Sequence, residues 1–123
     1  MRTSLNRDAE QDGGAIAPLI RVDAIPDGGL AAVEATVAGD AESLIVHRRG
    51  EHVRAWFNVC PHAGRRLDWA PNQFLLSKDG HLVCAVHGAT FSLPDGACIA
   101  GPCRGDQLRE VPVVVRDGGV YLA

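Results

Sequence analysis

Hydrophobic and polar positions alternate in short runs along the 123-residue chain, and few windows carry the 3.6-residue period of an amphipathic helix. Residues 19–24 form a first predicted strand, closed by the turn Ile25-Pro26-Asp27-Gly28-Gly29. Residues 31–37 alternate weakly and read as strand, because β-branched Val and Thr pack well on a pleated surface. Residues 43–47 and 53–59 flank Arg49-Gly50-Glu51 and predict a hairpin. Three more hairpins are predicted: 74–77 with 81–85 about Lys78-Asp79-Gly80, 89–93 with 97–99 about Pro94-Asp95-Gly96, and 111–116 with 120–122 about Asp117-Gly118-Gly119. Hairpins recurring at about 8–12 residues indicate an all-β sandwich or small barrel.

The length suits one domain with one core. Residues 1–17 are polar, with too little to bury, and read as a disordered tail before a domain over 18–123. With three Phe, two Trp and one Tyr, much of the 46% hydrophobic content is Ala and Val, so the core should use small side chains. A net charge of −3 argues against nucleic-acid binding, which needs a basic stripe; the pairs Arg48-Arg49 and Arg65-Arg66 read first as solvated surface. No run approaches the roughly 20 apolar residues of a membrane helix. Residues 1–17 hold no apolar signal core, so the expected address is the cytoplasm.

Two short donor sets stand between predicted strands. Cys60-Pro61-His62 follows Trp56-Phe57-Asn58-Val59, and Cys84-Ala85-Val86-His87-Gly88 follows Leu82-Val83, with 21 residues between His62 and Cys84. Each set offers one thiolate and one imidazole. Tetrahedral zinc accepts two Cys and two His, but zinc modules usually pair Cys with Cys and His with His locally. Mixed sets on two loops suit a two-iron cluster in which one iron takes both thiolates and the other both imidazoles. The remaining cysteines lie in Cys98-Ile99-Ala100-Gly101-Pro102-Cys103 and read as thiols or a facultative disulfide in preference to a second metal site. His47, His52 and His81 read as surface or strand histidines, and Trp56 and Trp69 as packing residues.

The segments Asn58-Val59-Cys60-Pro61-His62-Ala63-Gly64 and Cys84-Ala85-Val86-His87-Gly88-Ala89-Thr90-Phe91 resemble the ligand loops of the Rieske [2Fe–2S] proteins. Asp95-Gly96, Gly101-Pro102 and the strands of 108–122 resemble the turn, the proline loop and the closing strands of that family. The resemblance implies stacked antiparallel sheets with the ligand loops at one tip, and one [2Fe–2S] cluster per chain. Cys60 and Cys84 would bind the inner iron, and His62 and His87 the outer one. Gly64 and Gly88 would let backbone amides approach the sulfides, and Pro102 would shield the cluster from water.

The chain departs from the respiratory members, which carry one more Cys in each ligand loop; here those positions are Arg65 and Val86. Those members also place Ser and Tyr hydroxyls where this chain has Ala89 and Phe91, which implies fewer hydrogen bonds to the sulfurs and a lower potential. A nicotinamide-binding fingerprint and the iron site of an oxygenase domain are both missing from the sequence. The expected role is therefore that of a non-enzymatic, one-electron ferredoxin between a flavin-dependent reductase and a terminal oxygenase or reductase subunit. Alternatives are a small Rieske subunit of a larger oxidoreductase, such as a nitrite reductase, and a redox or iron sensor. Docking is expected at the tip, with Arg65 and Arg66 steering an acidic partner.

Overall fold

A computed structural model describes residues 17–61, 64, 66–70, 72–84 and 88–123. The tail expected over 1–17 falls outside these up to residue 16. Twelve strands are found among the described residues: β1 Ile20–Arg21, β2 Leu30–Val37, β3 Asp40–Arg49, β4 His52–Phe57, β5 Asp68–Ala70, β6 Gln73–Leu76, β7 Leu82–Val83, β8 Thr90–Phe91, β9 Cys98–Ala100, β10 Glu110–Val111, β11 Val113–Arg116 and β12 Gly119–Leu122. They form three antiparallel sheets, ordered β1-β12-β11, β10-β4-β3-β2 and β5-β6-β7-β8-β9. The four predicted hairpins are all paired: β3 with β4, β6 with β7, β8 with β9, and β11 with β12.

The second sheet is buried on both faces, and the alternation of its strands explains why. On β3, Leu44 and Val46 point to one side and Ile45 to the other; on β4, Ala55 and Trp56 divide likewise. Leu44, Val46, Ala55, Ile25 and Val111 make one apolar cluster, which the first sheet covers with Ile20, Val113 and Leu122. Ile45 and Trp56 enter a second cluster with Leu82, Phe91, Cys98 and Leu108 from the far side. Small residues such as Ala31, Ala55 and Ala89 do fill core positions, but Trp56 and Phe91 are its largest members.

Three local departures have physical causes. The stretch 19–24 is only briefly strand, because Val22–Ala24 close a 3₁₀ turn in which the Ile25 amide donates to the Val22 carbonyl at 3.1 Å. The apolar run 111–116 belongs to two sheets: Pro112 has no N–H to give a ladder, so β10 stays with β4 and β11 joins β12. Arg48 is tied rather than solvated, donating from Nη1 to Ile25 O at 2.9 Å and from Nε to Gly50 O at 2.8 Å.

The two-faced burial of β3 makes a separable prediction. Leu44→Ala and Ile45→Ala should each cost about 2–5 kcal/mol in denaturant unfolding, since both side chains are fully buried. Only Ile45→Ala should alter the near-ultraviolet dichroism of Trp56, its cross-strand partner in the register. Equal changes in that band for both variants would contradict the division of the core.

Candidate metal centre

Each predicted donor set begins at the end of a strand in the second cluster. Cys60 follows β4 and Cys84 follows β7; both are buried, and both belong to the cluster that holds Trp56 and Phe91. The structure therefore brings the two thiol residues to one apolar region. His62 and His87 lie outside the described residues, as do Ala63, Arg65 and the residues between Cys84 and His87.

The two loops share a local geometry that the sequence spacing hides. In the first, the Gly64 amide donates to the Cys60 carbonyl at 2.8 Å; in the second, the Gly88 amide donates to the Cys84 carbonyl at 3.0 Å. Each glycine stands four residues after its cysteine in a left-handed conformation, with φ of 66° and 72°. A five-residue turn closed through a left-handed residue calls for glycine, because at that φ a side chain crowds its own flanking peptide groups. The space beyond is open at both positions, so the requirement is one of backbone conformation and not of room. The single-residue difference between C-x-H and C-x-x-H therefore leaves the cysteine-to-glycine frame unchanged. The second loop is also closed at its base, where the Cys84 amide donates to the Ala89 carbonyl at 2.7 Å.

Asn58 closes the first loop, and sequence reading assigned it no role of its own. Its carboxamide is buried, donating from Nδ2 to Asp68 Oδ1 at 3.0 Å and to Ser43 Oγ at 3.2 Å. Its Oδ1 accepts the Leu67 amide at 2.7 Å. Residues 58 and 67 are thus joined across the loop that carries Cys60. Asp68 is held in turn by Arg66, which donates from Nε at 2.9 Å and from Nη2 at 2.8 Å, and its Oδ2 accepts the Asn72 amide at 3.4 Å. The Arg66 guanidinium holds the Asp68 carboxyl below the ordinary aspartate value against the opposing pull of burial, and the Asn58 amide lowers it further. The only sequence signal for this network was an Asn two residues before Cys60.

Arg66 is consequently engaged with Asp68 and is not the free steering charge that the sequence suggested; Arg65 lies outside the described residues. Trp56 packs the core as expected, whereas Trp69 on β5 stands 64% exposed instead of packing its hairpin. His47 is a strand histidine buried near Trp56, its pKa lowered by burial and then by Arg49 and Arg54. Cys98 and Cys103 are joined as a disulfide, which selects one of the alternatives and removes the plain-thiol reading. Beside the first loop lies a cleft of about 260 Å³ lined by Phe57, Val59, Pro61 and Arg109 among others, with the Arg109 guanidinium 4.4 Å from the Phe57 ring centroid.

Two buried thiol residues on matched turns fit a centre that takes soft sulfur donors. Beside the first turn, the buried side chains of Asn58 and Asp68 are both bonded, as pre-organised sites require. Asn58→Ala should lower stability by about 1–3 kcal/mol, since it strips partners from the Leu67 amide and from Asp68. For Asp68, a depressed folded pKa means a contribution present above the unfolded value near 4 and lost as pH falls through the folded one. The stability gap between the parent and Asp68→Asn should stay level above about pH 5 and narrow below about pH 4; a gap that widens in acid would refute the pairing.

Comparison with known proteins places the chain in a family. The Rieske [2Fe-2S] domain family matches residues 16–115. The 3-phenylpropionate/cinnamic acid dioxygenase ferredoxin subunit of Photorhabdus laumondii subsp. laumondii is 31% identical over 101 residues, covering 82% of this chain and 87% of that protein. Among solved structures, the ferredoxin of carbazole 1,9a-dioxygenase from Nocardioides aromaticivorans IC177 superposes with a TM-score of 0.65 at 25% identity, over 89% of this chain and 98% of that one. A chain from a complex of reduced oxygenase and oxidized ferredoxin in carbazole 1,9a-dioxygenase gives a TM-score of 0.64 at 24% identity, over 86% of this chain and 90% of that one. The cofactor that goes with this domain is one [2Fe–2S] cluster per chain. On the match over 100 residues and the near full-length relative, the chain belongs to the Rieske [2Fe-2S] family.

Proposed function

We propose that the protein is a Rieske ferredoxin, a one-electron carrier that receives electrons from a flavin-dependent reductase and delivers them to a terminal oxygenase. The observation that carries this reading is the near full-length match to dioxygenase ferredoxins, 87% and 98% of the two relatives' own lengths. The cluster supplies reversible uptake of one electron. Cys60, His62, Cys84 and His87 are its proposed ligands, and the described chain supports this by burying both cysteine residues in one apolar cluster. Its proposed address is the cytoplasm. The described residues contain no helix long and apolar enough to cross a membrane.

What the chain's own residues do is hold the centre and present it. Asn58 and Asp68 fix the first loop, and the Cys84–Ala89 hydrogen bond fixes the second. Val59, Pro61, Gly64 and Gly88 are exposed and offer a surface for docking. Arg109, exposed in the cleft beside Pro61, supplies a cation there and takes over the steering role expected of Arg66. Reversal of Arg66 would break its bonds to Asp68, so steering is better tested through Arg65→Glu and Arg109→Glu. Both should slow electron transfer to an acidic partner at low salt and converge on the parent rate at high salt. Rates that are unchanged at every ionic strength would remove steering.

The ligand set is tested by chemical analysis. The parent should hold two irons and two acid-labile sulfides per chain, and His62→Ser or His87→Ser should bleach it; one zinc and no sulfide would refute the assignment. The potential follows from the second loop. Ala89 and Phe91 are fully buried and carry no side-chain donor, and the Thr90 hydroxyl is given to the Gly88 carbonyl at 3.0 Å. The potential should therefore lie toward the lower end of the Rieske range, near about −150 mV. Ala89→Ser with Phe91→Tyr should raise it in voltammetry, and no upward shift would defeat the argument.

A further inference from the structure

The segment from Cys98 to Cys103 has no part in the ligand assignment, yet it lies against the second ligand loop. Its ends are joined by the disulfide, with Cα atoms 6.0 Å apart, and both cysteines are buried in the cluster that contains Cys60 and Cys84. Backbone bonds tighten the same loop: the Cys98 amide donates to Asp106 O at 2.8 Å, the Asp106 amide to Cys103 O at 2.8 Å, and the Arg104 amide to Gly101 O at 3.2 Å. At the crown, a Cβ on Gly101 would stand 2.8 Å from the Ala89 Cα, 3.0 Å from its nitrogen and 3.1 Å from the Gly88 carbonyl oxygen. The crown is in backbone-to-backbone contact with the residue whose carbonyl holds the Cys84 amide. Contact therefore runs without a gap from the disulfide through Gly101 to Ala89 and on to Cys84.

We propose that the Cys98–Cys103 disulfide is a positioning element for the cluster, clamping the 98–103 loop onto the second ligand loop and excluding water there. The proposal rests on Cys84 as a ligand. Opening the clamp would consume two electrons and two protons from a dithiol and leave two thiols. An attacking thiolate must reach a sulfur, and the two cysteines are only 5% and 2% exposed, so the folded protein shields the bond from cellular thiols. Exposed disulfides are the labile ones, and this one is buried.

The test uses the cluster-loaded chain and two independent variants. Cys98→Ser with Cys103→Ser removes the clamp; Gly101→Ala keeps the disulfide but forces the crown away from Ala89. Iron and sulfide analysis comes first: a parent without two of each would overturn the ligand assignment and the clamp with it, whereas a loaded parent leaves the variants to judge the clamp alone. In both variants the midpoint potential should rise, because water then reaches a centre that gains a negative charge on reduction. The paramagnetic resonance g values should move with it, and the half-life of the cluster in air should fall several-fold. If the double variant does not assemble, Gly101→Ala decides alone. A lower unfolding midpoint with the potential and g values of the parent would show a mere staple and overturn the proposal, as would a lowered potential.

Discussion

The Asn58 carboxamide ties together three parts of the chain that would otherwise part: the Ser43 hydroxyl on β3, the Leu67 amide at the far end of the loop that carries Cys60, and the Asp68 carboxylate at the start of β5. A buried amide is tolerated only when its polar atoms are bonded. Here both the oxygen and the nitrogen are engaged, so the cost of burial becomes a constraint on geometry. The loop can close only where Leu67 meets Asn58. Asp68 must then lie inside, which in turn requires Arg66 to fold back over it. The Asn72 side chain extends the chain of bonds to the central sheet, where its Oδ1 accepts the Ala32 amide at 2.7 Å.

This network succeeds because the central sheet beneath it is fixed from both sides. β3 and β4 cannot slip by one residue without exchanging Leu44 and Val46 for Ile45 between two unlike clusters. Arg54 on β4 adds a lateral tie, donating to both carboxylate oxygens of Glu110 on β10 at 3.0 and 2.8 Å. Asn58, directly after β4, inherits the rigidity of the strand, and the first loop starts from a defined point. The second loop has a similar anchor in β7 and β8, where Leu82 and Phe91 are paired and fully buried.

What could be read from the sequence was local. Turn residues marked the four hairpins, since a Gly after Asp or Arg carries its own backbone instruction. The two Cys-to-Gly turns were legible for the same reason, as short spacings with Gly close behind. The turn Ala38-Gly39 joining β2 to β3 went unread because Ala rarely takes the φ of 53° that it adopts there. The burial of Asp68 was equally invisible: a lone aspartate is ordinarily exposed, and its partners lie on several different segments. Arg66 looked free for the same reason. The exposure of Trp69 could not be read from composition, because a large apolar residue in a hairpin is usually buried.

An electron carrier faces opposing demands: its centre must be shielded from water and yet lie close to a partner. The tight turns at Cys60 and Cys84 pass from buried to exposed within a few residues. Cys60 is fully buried while its neighbours Val59 and Pro61 are exposed, and Cys84 is buried while Gly88, whose amide it holds, is exposed. Because each turn is closed by its own backbone hydrogen bond, the loops need little added bulk to satisfy their polar groups. A longer loop would need more covering residues. The glycine four residues after each cysteine, left-handed at φ of 66° and 72°, therefore sets how abruptly the chain passes from buried to exposed.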